Sequence, residues 1–171
     1  MKIAFLFLIV DDINFPKLWE QYFNNNYNKI SIYCHPKNPD NVKTMWLKKN
    51  IINDLKPTKW GFFTDAIISL LKAALNDPDN TKFIIVSESC LPIKSFTNFY
   101  NMVANDHINT SYIKLYDFSK ELFIKYNDIN KIIKSTNIIK HSGWWCLSRH
   151  HVKKLLINKD IKLYQRVKAG D

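Results

Sequence analysis

Four consecutive residues, Ser87-Glu88-Ser89-Cys90, put two hydroxyls, a carboxylate and a thiol into one short stretch. Such a group can bind a polar ligand, move a proton or, through the thiol, attack an electrophile. A nucleophilic Cys90 needs a base and an electropositive setting to hold its thiolate. Its neighbour Glu88 is acidic and no His is placed beside it by sequence, so a structural thiol bordering a pocket is the better reading. Glu88 is the sharper signal, because a carboxylate at the end of an apolar run is costly unless paired or used. That run is Phe83-Ile84-Ile85-Val86, and Pro92 closes it by withholding an N–H. The pattern predicts a strand buried on both faces that delivers Ser87 to Cys90 at its C-terminal tip. In open α/β sheets that tip is where ligands sit.

Other clusters are weaker. Asp11-Asp12 follows an apolar run and reads either as a metal-binding pair or as a solvated strand end with a helix cap. Asp77-Pro78-Asp79 has the D-x-D form that can hold a divalent cation, yet it precedes an apolar run instead of following one. Asp, Pro and Asn are turn formers, so a helix-ending turn is favoured there. Cys34 and His35 are neighbours on an expected strand and point to opposite faces, which prevents ready chelation of one ion. His35 at the strand tip remains a candidate ligand contact. His150-His151 is expected mid-helix on a solvated face. Trp144-Trp145 on a strand sends one indole into the core and one outward, and an outward indole can serve as a platform for a sugar ring.

These residues need elements to position them. Ile3–Val10 reads as a first core strand, followed by a helix with Asn14 or Asp12 as cap, Pro16 in its first turn and Leu18, Trp19, Tyr22 and Phe23 on one face. Residues 29–35 read as a second strand, which completes a βαβ unit. Residues 36–57 are polar, with Trp46 and Leu47 as anchors and a short strand expected near Ile51-Ile52. Thr64 is expected to cap a helix whose buried stripe is Ala66, Ile67, Leu70, Leu71, Ala74 and Leu75. After the central strand, Ser95 or Thr97 is expected to cap a helix carrying Phe96, Phe99, Tyr100 and Val103. Residues 111–115 and 141–148 read as strands, residues 149–157 as a helix with Val152, Leu155 and Leu156 inward, and 161–167 as a final short element. Residues 117–137 are weakly patterned and basic. Alternating strands and helices predict an α/β sandwich with a mostly parallel, Rossmann-like sheet flanked by helices.

The totals agree with one domain. The chain has 171 residues, 46% of them hydrophobic and 14% aromatic, which excludes disorder. Three glycines leave no Gly-rich phosphate loop. The net charge of +10 suits an anionic partner, but the lysines are scattered and only Arg149 and Arg166 are arginines. Sequence-specific duplex readers lean on Arg, so nucleic acid is not the expected partner and a phosphate-bearing small ligand is. Three cysteines without C-x-x-C spacing give neither a disulfide framework nor a zinc site. That usage fits a cytoplasmic, reducing setting. The longest apolar run, Ile3–Val10, is too short to span a bilayer.

With these residues placed, the chain resembles the core-2/I-branching β-1,6-N-acetylglucosaminyltransferase family (glycosyltransferase family 14), in its plant-type branch. The opening strand Lys2–Leu8 and the helix Leu18-Trp19-Glu20-Gln21-Tyr22-Phe23 resemble that branch, and Ser31-Ile32-Tyr33-Cys34-His35-Pro36 resembles its "SIYVHP" strand. Trp60-Gly61, Asp65-Ala66 and Ala73–Asn80 resemble the helix and turn before the central strand. Ser87-Glu88-Ser89-Cys90-Leu91-Pro92-Ile93 resembles the "SESC-P" motif, and Ser142-Gly143-Trp144-Trp145 through Arg149 the "GSQWF…R" strand and helix.

The resemblance implies a GT-A-like nucleotide-diphospho-sugar transferase fold. It implies inverting, metal-independent transfer from a UDP-sugar, such as UDP-GlcNAc or UDP-xylose, to a glycan or protein hydroxyl, with no cofactor. Ile9, Val10, Asp11 and His35 are then expected on the donor's uridine side. Trp60, Asp65, Ser87, Glu88, Ser89, Cys90, Ser142, Trp144 and Trp145 are expected around the donor and acceptor cleft. The family's base is a Glu in a D-E pair. Lys168-Ala169-Gly170-Asp171 looks like the approach to it, so the Glu is expected just past Asp171 and the chain is expected to be the N-terminal portion of the domain. Two other readings stay open: a non-catalytic nucleotide- or glycan-binding module, and a basic nucleic-acid-binding α/β protein.

Overall fold

A computed structural model describes residues 1–116 and 140–158. Strand β1 (Lys2–Ile9) is followed by helix α1 (Pro16–Phe23), strand β2 (Ile30–Pro36) and a short helix α2 (Met45–Lys48). Helix α3 (Thr64–Leu75), strand β3 (Asn80–Val86), helix α4 (Phe96–Ala104) and strand β4 (Tyr112–Tyr116) come next. Strand β5 (Lys140–Ser148) runs directly into helix α5 (Arg149–Ile157). The five strands form one sheet in the order β2-β1-β3-β5-β4. β1 pairs in parallel with both β2 and β3, whereas β5 runs antiparallel to β3 and β4. The expected α/β sandwich with a mostly parallel sheet is therefore present.

Period-two alternation along β1 builds two cores at once. Ile3, Phe5, Phe7 and Ile9 face one helical layer, where they meet Trp19 and Phe23 of α1, Leu47 of α2, and Phe96 and Val103 of α4. Ala4 and Leu6 face the other layer, where they meet Leu70, Leu71 and Ala74 of α3 and Val152 of α5. The first layer is aromatic. Trp19 meets Phe7 edge-on at 5.3 Å between centroids, and Phe23 meets Phe5 edge-on at 4.9 Å, the arrangement that ring quadrupoles favour. Among the described residues no helix is long and apolar enough to cross a membrane.

Buried and half-buried polar side chains tie the layers to the strand starts. Lys82 of β3 is fully buried, and its ammonium donates to the carbonyls of His107 (3.2 Å) and Thr110 (2.6 Å), which holds the loop between α4 and β4. Asn80 donates to the Ala74 carbonyl at 2.8 Å and the Tyr33 hydroxyl at 3.0 Å, and accepts from Ser31. Arg149 donates to the carbonyls of Leu75, Asp77 and Asn80 at 2.8, 2.9 and 3.0 Å. It thereby satisfies groups that the C-terminus of α3 and the following turn would otherwise leave open.

Several local expectations differ from the structure. Phe15, not Asn14 or Asp12, precedes α1 as its N-cap, and Asp12 is used elsewhere. Phe63 precedes α3 and Thr64 is its first residue, with no side-chain cap. In α3, Ile68 and Ser69 are fully buried while Ile67 and Leu75 are half-buried, because the helix is covered over a wider arc than one stripe. Ser95 caps α4 by accepting from the Asn98 N–H at 3.3 Å, as expected. His150 and His151 lie in the first turn of α5, not mid-helix, because Ser148 is the cap. Leu155 is exposed, since Val152 and Leu156 alone share the inward face. Residues 36–57 hold the helix α2, which was not expected, while a parallel bridge between Cys34 and Ile51 falls where a short strand was expected. The weakly patterned region 117–137 and the element expected at 161–167 lie outside the described residues, as does the expected approach at Lys168–Asp171.

Candidate active site at the strand tips

β1, β2 and β3 are parallel, so their C-termini reach the same edge of the sheet. The segment after β1 occupies the middle of that edge and is tied on both sides. The Ile9 and Val10 carbonyls accept from the Lys37 and Asn38 N–H groups, each at 2.9 Å. On the other side, the Asn14 N–H donates to the Glu88 carbonyl at 3.0 Å. Asp11 accepts from the side-chain amides of Asn38 (2.9 Å) and Asn41 (2.7 Å), whose hydrogen bonds hold its carboxyl below the usual range. Burial alone pushes the Asp12 carboxyl up, but donation from the Ile13, Thr44 and Lys43 N–H groups outweighs it and lowers the pKa. Both carboxylates therefore act as anchors for residues 37–44.

The Ser87–Cys90 turn forms the next part of the edge. The Cys90 N–H donates to the Ser87 carbonyl at 3.2 Å, and the Ser87 N–H approaches the Cys90 sulfur at 3.4 Å. The hydroxyls of Ser87 and Ser89 lie 3.2 Å apart. The Trp19 indole N–H donates to the Cys90 carbonyl at 3.2 Å and so fastens the turn to the aromatic core. Glu88 is half-buried, and no described residue donates to its carboxylate.

Beyond the turn, the sheet opens. The β3–β5 ladder ends at Ile84↔Cys146, although β3 continues to Val86. On its other side, β5 jumps register against β4 from Ile113↔Trp145 to Leu115↔His141, which inserts two extra residues into β5. Such a bulge re-aims side chains. Here the Ser142 hydroxyl accepts from the Trp144 N–H at 3.2 Å, and Trp144 is 52% exposed. A pocket of about 320 Å³ lies in the opening, with Val86, Cys90, Phe99 and Trp144 among its walls.

The structure places the expected residues as follows. Val10 and Asp11 are exposed at the edge, whereas the Ile9 side chain is buried in the core. His35 is fully buried, its Nε2 accepting the Lys56 N–H at 2.8 Å, so the ring is enclosed by protein and not exposed at the edge. Ser87, Glu88, Ser89 and Cys90 share one turn, and Cys90 and Trp144 share one pocket. Trp145 points to the opposite layer, against the α3–α5 core. Trp60, 82% exposed on a tight turn with Gly61 at φ 75°, and Asp65 in the first turn of α3 share no wall with that pocket. Asp77 and Asp79 sit at the start of β3, the opposite edge of the sheet, where Asp77 pairs with Lys2 at 3.0 Å. Among the described residues no three His, Cys, Asp or Glu side chains converge as metal ligands. Sequence reasoning missed Asn38 and Asn41 as partners of Asp11, and Met102 and Ile93 as pocket walls. The one available signal was Trp19, whose single N–H on an apolar helix face demanded a partner.

Burial of His35 lowers its pKa from the ordinary 6.5, aided by the nearby Lys56 charge and opposed by Asp54. A depressed histidine pKa means that the unfolded chain takes up a proton which the folded ring refuses, so stability falls as pH drops below 6.5. The urea midpoint is expected to be lower at pH 5.5 than at pH 7.5. His35→Gln, which keeps an acceptor within reach of the Lys56 N–H, should flatten that difference. An equal drop in both proteins would show that another group is responsible.

The family model "Branch: Core-2/I-Branching enzyme" matches residues 3–170. Glycosyltransferase BC10 of rice (Oryza sativa subsp. japonica) is 26% identical over 170 residues, covering 94% of this chain and 41% of the rice protein. The chain thus spans about two-fifths of the length of that relative. The matched span takes in β1, the Ser87–Cys90 turn and the Trp144 strand, and with it on this fold the chain belongs to the Core-2/I-branching enzyme family.

Proposed function

We infer that this protein is a glycosyltransferase that moves a sugar from a UDP-sugar, UDP-GlcNAc or UDP-xylose, to a hydroxyl of a glycan or protein. The transfer inverts the anomeric centre and uses no metal ion. The observation that carries the reading is the junction of Val10–Asn14 with the Ser87–Cys90 turn through the Asn14–Glu88 hydrogen bond. That junction lies on the edge where α/β folds bind nucleotides, within the family match.

In this reading the exposed Val10 and Asp11 border the nucleoside, and the Ser87 and Ser89 hydroxyls meet the sugar. Glu88 orients a sugar hydroxyl, and the base that takes the acceptor proton is, by family resemblance, a Glu of a D-E pair. Asp11 and Asp12 are engaged with Asn and main-chain donors, which argues against their holding a cation.

Calorimetric titration with UDP, UDP-GlcNAc and UDP-xylose is expected to give saturable binding that excess EDTA leaves unchanged. A chain extended past Asp171 should turn over donor in the presence of an acceptor. Absence of saturable binding to every one of these nucleotides, in both chains, would sink the reading. Binding that appears only with Mg²⁺ or Mn²⁺ would overturn its metal-free part.

A further inference from the structure

We propose that the pocket between β3, α4 and Trp144 is a subsite for the apolar aglycone of the acceptor, an aryl or short alkyl group attached to the accepting sugar. The assignment rests on the sugar-transfer reading and adds to it the class of acceptor.

The walls decide the chemistry. Trp19, Ile84, Val86, Phe99, Met102 and Trp144 supply them, and among the described residues Lys94 is the one charged lining residue. The polar atoms of two lining residues are already engaged. The Trp19 N–H is given to the Cys90 carbonyl, and the Cys90 sulfur is approached by the Ser87 N–H and hydroxyl. A sugar ring placed here would leave most of its hydroxyls without partners, which is costly away from water. A diphosphate would find a single lysine among the described lining residues. An apolar group meets neither difficulty.

Size agrees. An apolar cavity of about 150 Å³ accommodates benzene, so about 320 Å³ holds a ring with a linker or a chain of several carbons. The rim is apolar as well: Leu91, Ile93, Met102 and Trp144 are all exposed, Ile93 at 93%. A longer tail can thus continue across the surface.

Position ties the pocket to the transfer site. Cys90 is both the last residue of the hydroxyl-bearing turn and part of the pocket wall. One face of a four-residue turn therefore meets polar groups and the other meets apolar ones. A ligand with a sugar end and an apolar end spans both without bending away from the sheet edge.

The test is a titration of the full chain with methyl, butyl and hexyl β-glucosides, each below its micelle concentration, followed by calorimetry. Affinity is expected to rise with chain length, up to about fourfold for each methylene fully buried, with a stoichiometry of one. Met102→Trp places a large ring in the pocket from an exposed helix position and should reduce hexyl glucoside affinity at least tenfold. Trp144→Ala removes one exposed wall and should reduce it several-fold, and circular dichroism of both variants checks that the fold is kept.

Equal affinity for the methyl and hexyl compounds would overturn the assignment. So would hexyl binding that both variants leave intact. Self-association of the chain that hexyl glucoside disperses would also overturn it, by giving the pocket to a second copy. A parallel UDP titration separates the two readings. UDP binding without dependence on alkyl length removes the aglycone subsite alone, whereas length-dependent glucoside binding without UDP binding removes the donor site and leaves the pocket assigned.

Discussion

Truncating Trp19 to alanine is expected to lower the unfolding free energy by about 4 kcal/mol, within the range for a large aromatic removed from a packed core. The indole is buried and meets Phe5, Phe7 and Tyr22 edge-on at 6.0, 5.3 and 5.7 Å. Its loss opens a cavity that Phe5, Phe7, Tyr22 and Phe23 cannot fill without leaving their rotamers. The same side chain donates to the Cys90 carbonyl, so the site loosens along with the core. Trp19→Phe separates the two effects. It keeps a ring in the core and drops the N–H, for a cost of about 1 kcal/mol and a Cys90 thiol that reacts faster with a small thiol reagent. Urea denaturation gives the first quantity and labelling kinetics the second. Unchanged Cys90 labelling in Trp19→Phe would show that the turn does not depend on this hydrogen bond.

The second large effect is expected at Arg149. One guanidinium reaches three main-chain carbonyls, those of Leu75, Asp77 and Asn80, from the first residue of α5. Hydrogen bonds to charged groups contribute about 1.5–3 kcal/mol each in favourable cases, but the residue is only half-buried and solvent takes part of that back. Arg149→Ala is therefore expected to cost about 3 kcal/mol in urea unfolding. Arg149→Lys should recover less than half, because an ammonium cannot present the guanidinium's planar fork to three acceptors at once. Full recovery by lysine would mean that charge near the α3 C-terminus, not the fork, is what matters. This arginine lies far from the strand tips, at the edge where β3 begins, so nucleotide binding in the folded fraction should not change.

The contrast between these two residues shows what the sequence made legible. The apolar face of α1 and the buried runs of β1 and β3 follow from periodicity, and they place Trp19 and the Ser87–Cys90 tip correctly because burial is a local property of the pattern. Arg149 was readable only as part of a family motif. Its partners lie 69 to 74 residues away in the chain, and a main-chain carbonyl has no residue type to announce it. His35 shows the same limit. Its strand-tip position suggested a ligand, but residues 51–56 fold back over it, and their closure depends on the Cys34–Ile51 bridge and the Lys56 N–H. The pocket beside Trp144 depends on where a ladder stops and where a bulge falls. Both are set by strand pairing across the sheet, which a single strand's sequence does not carry. Caps fared in between: Ser95 was legible because its hydroxyl bonds three residues on, whereas Phe15 before Pro16 offers no side-chain signal.

The unequal make-up of the two helical layers also governs how the protein can be watched. Of the five tryptophans, Trp19 and Trp46 belong to the aromatic layer, Trp144 lines the pocket beside it, Trp145 packs toward α3 and α5, and Trp60 is exposed on the turn before α3. Intrinsic emission is thus weighted toward one side of the sheet and toward the edge that carries the site. Quenching by a ligand at the strand tips has three reporters close at hand. Fraying of α5 from the opposite side has one, and is better followed by the far-ultraviolet signal of its backbone.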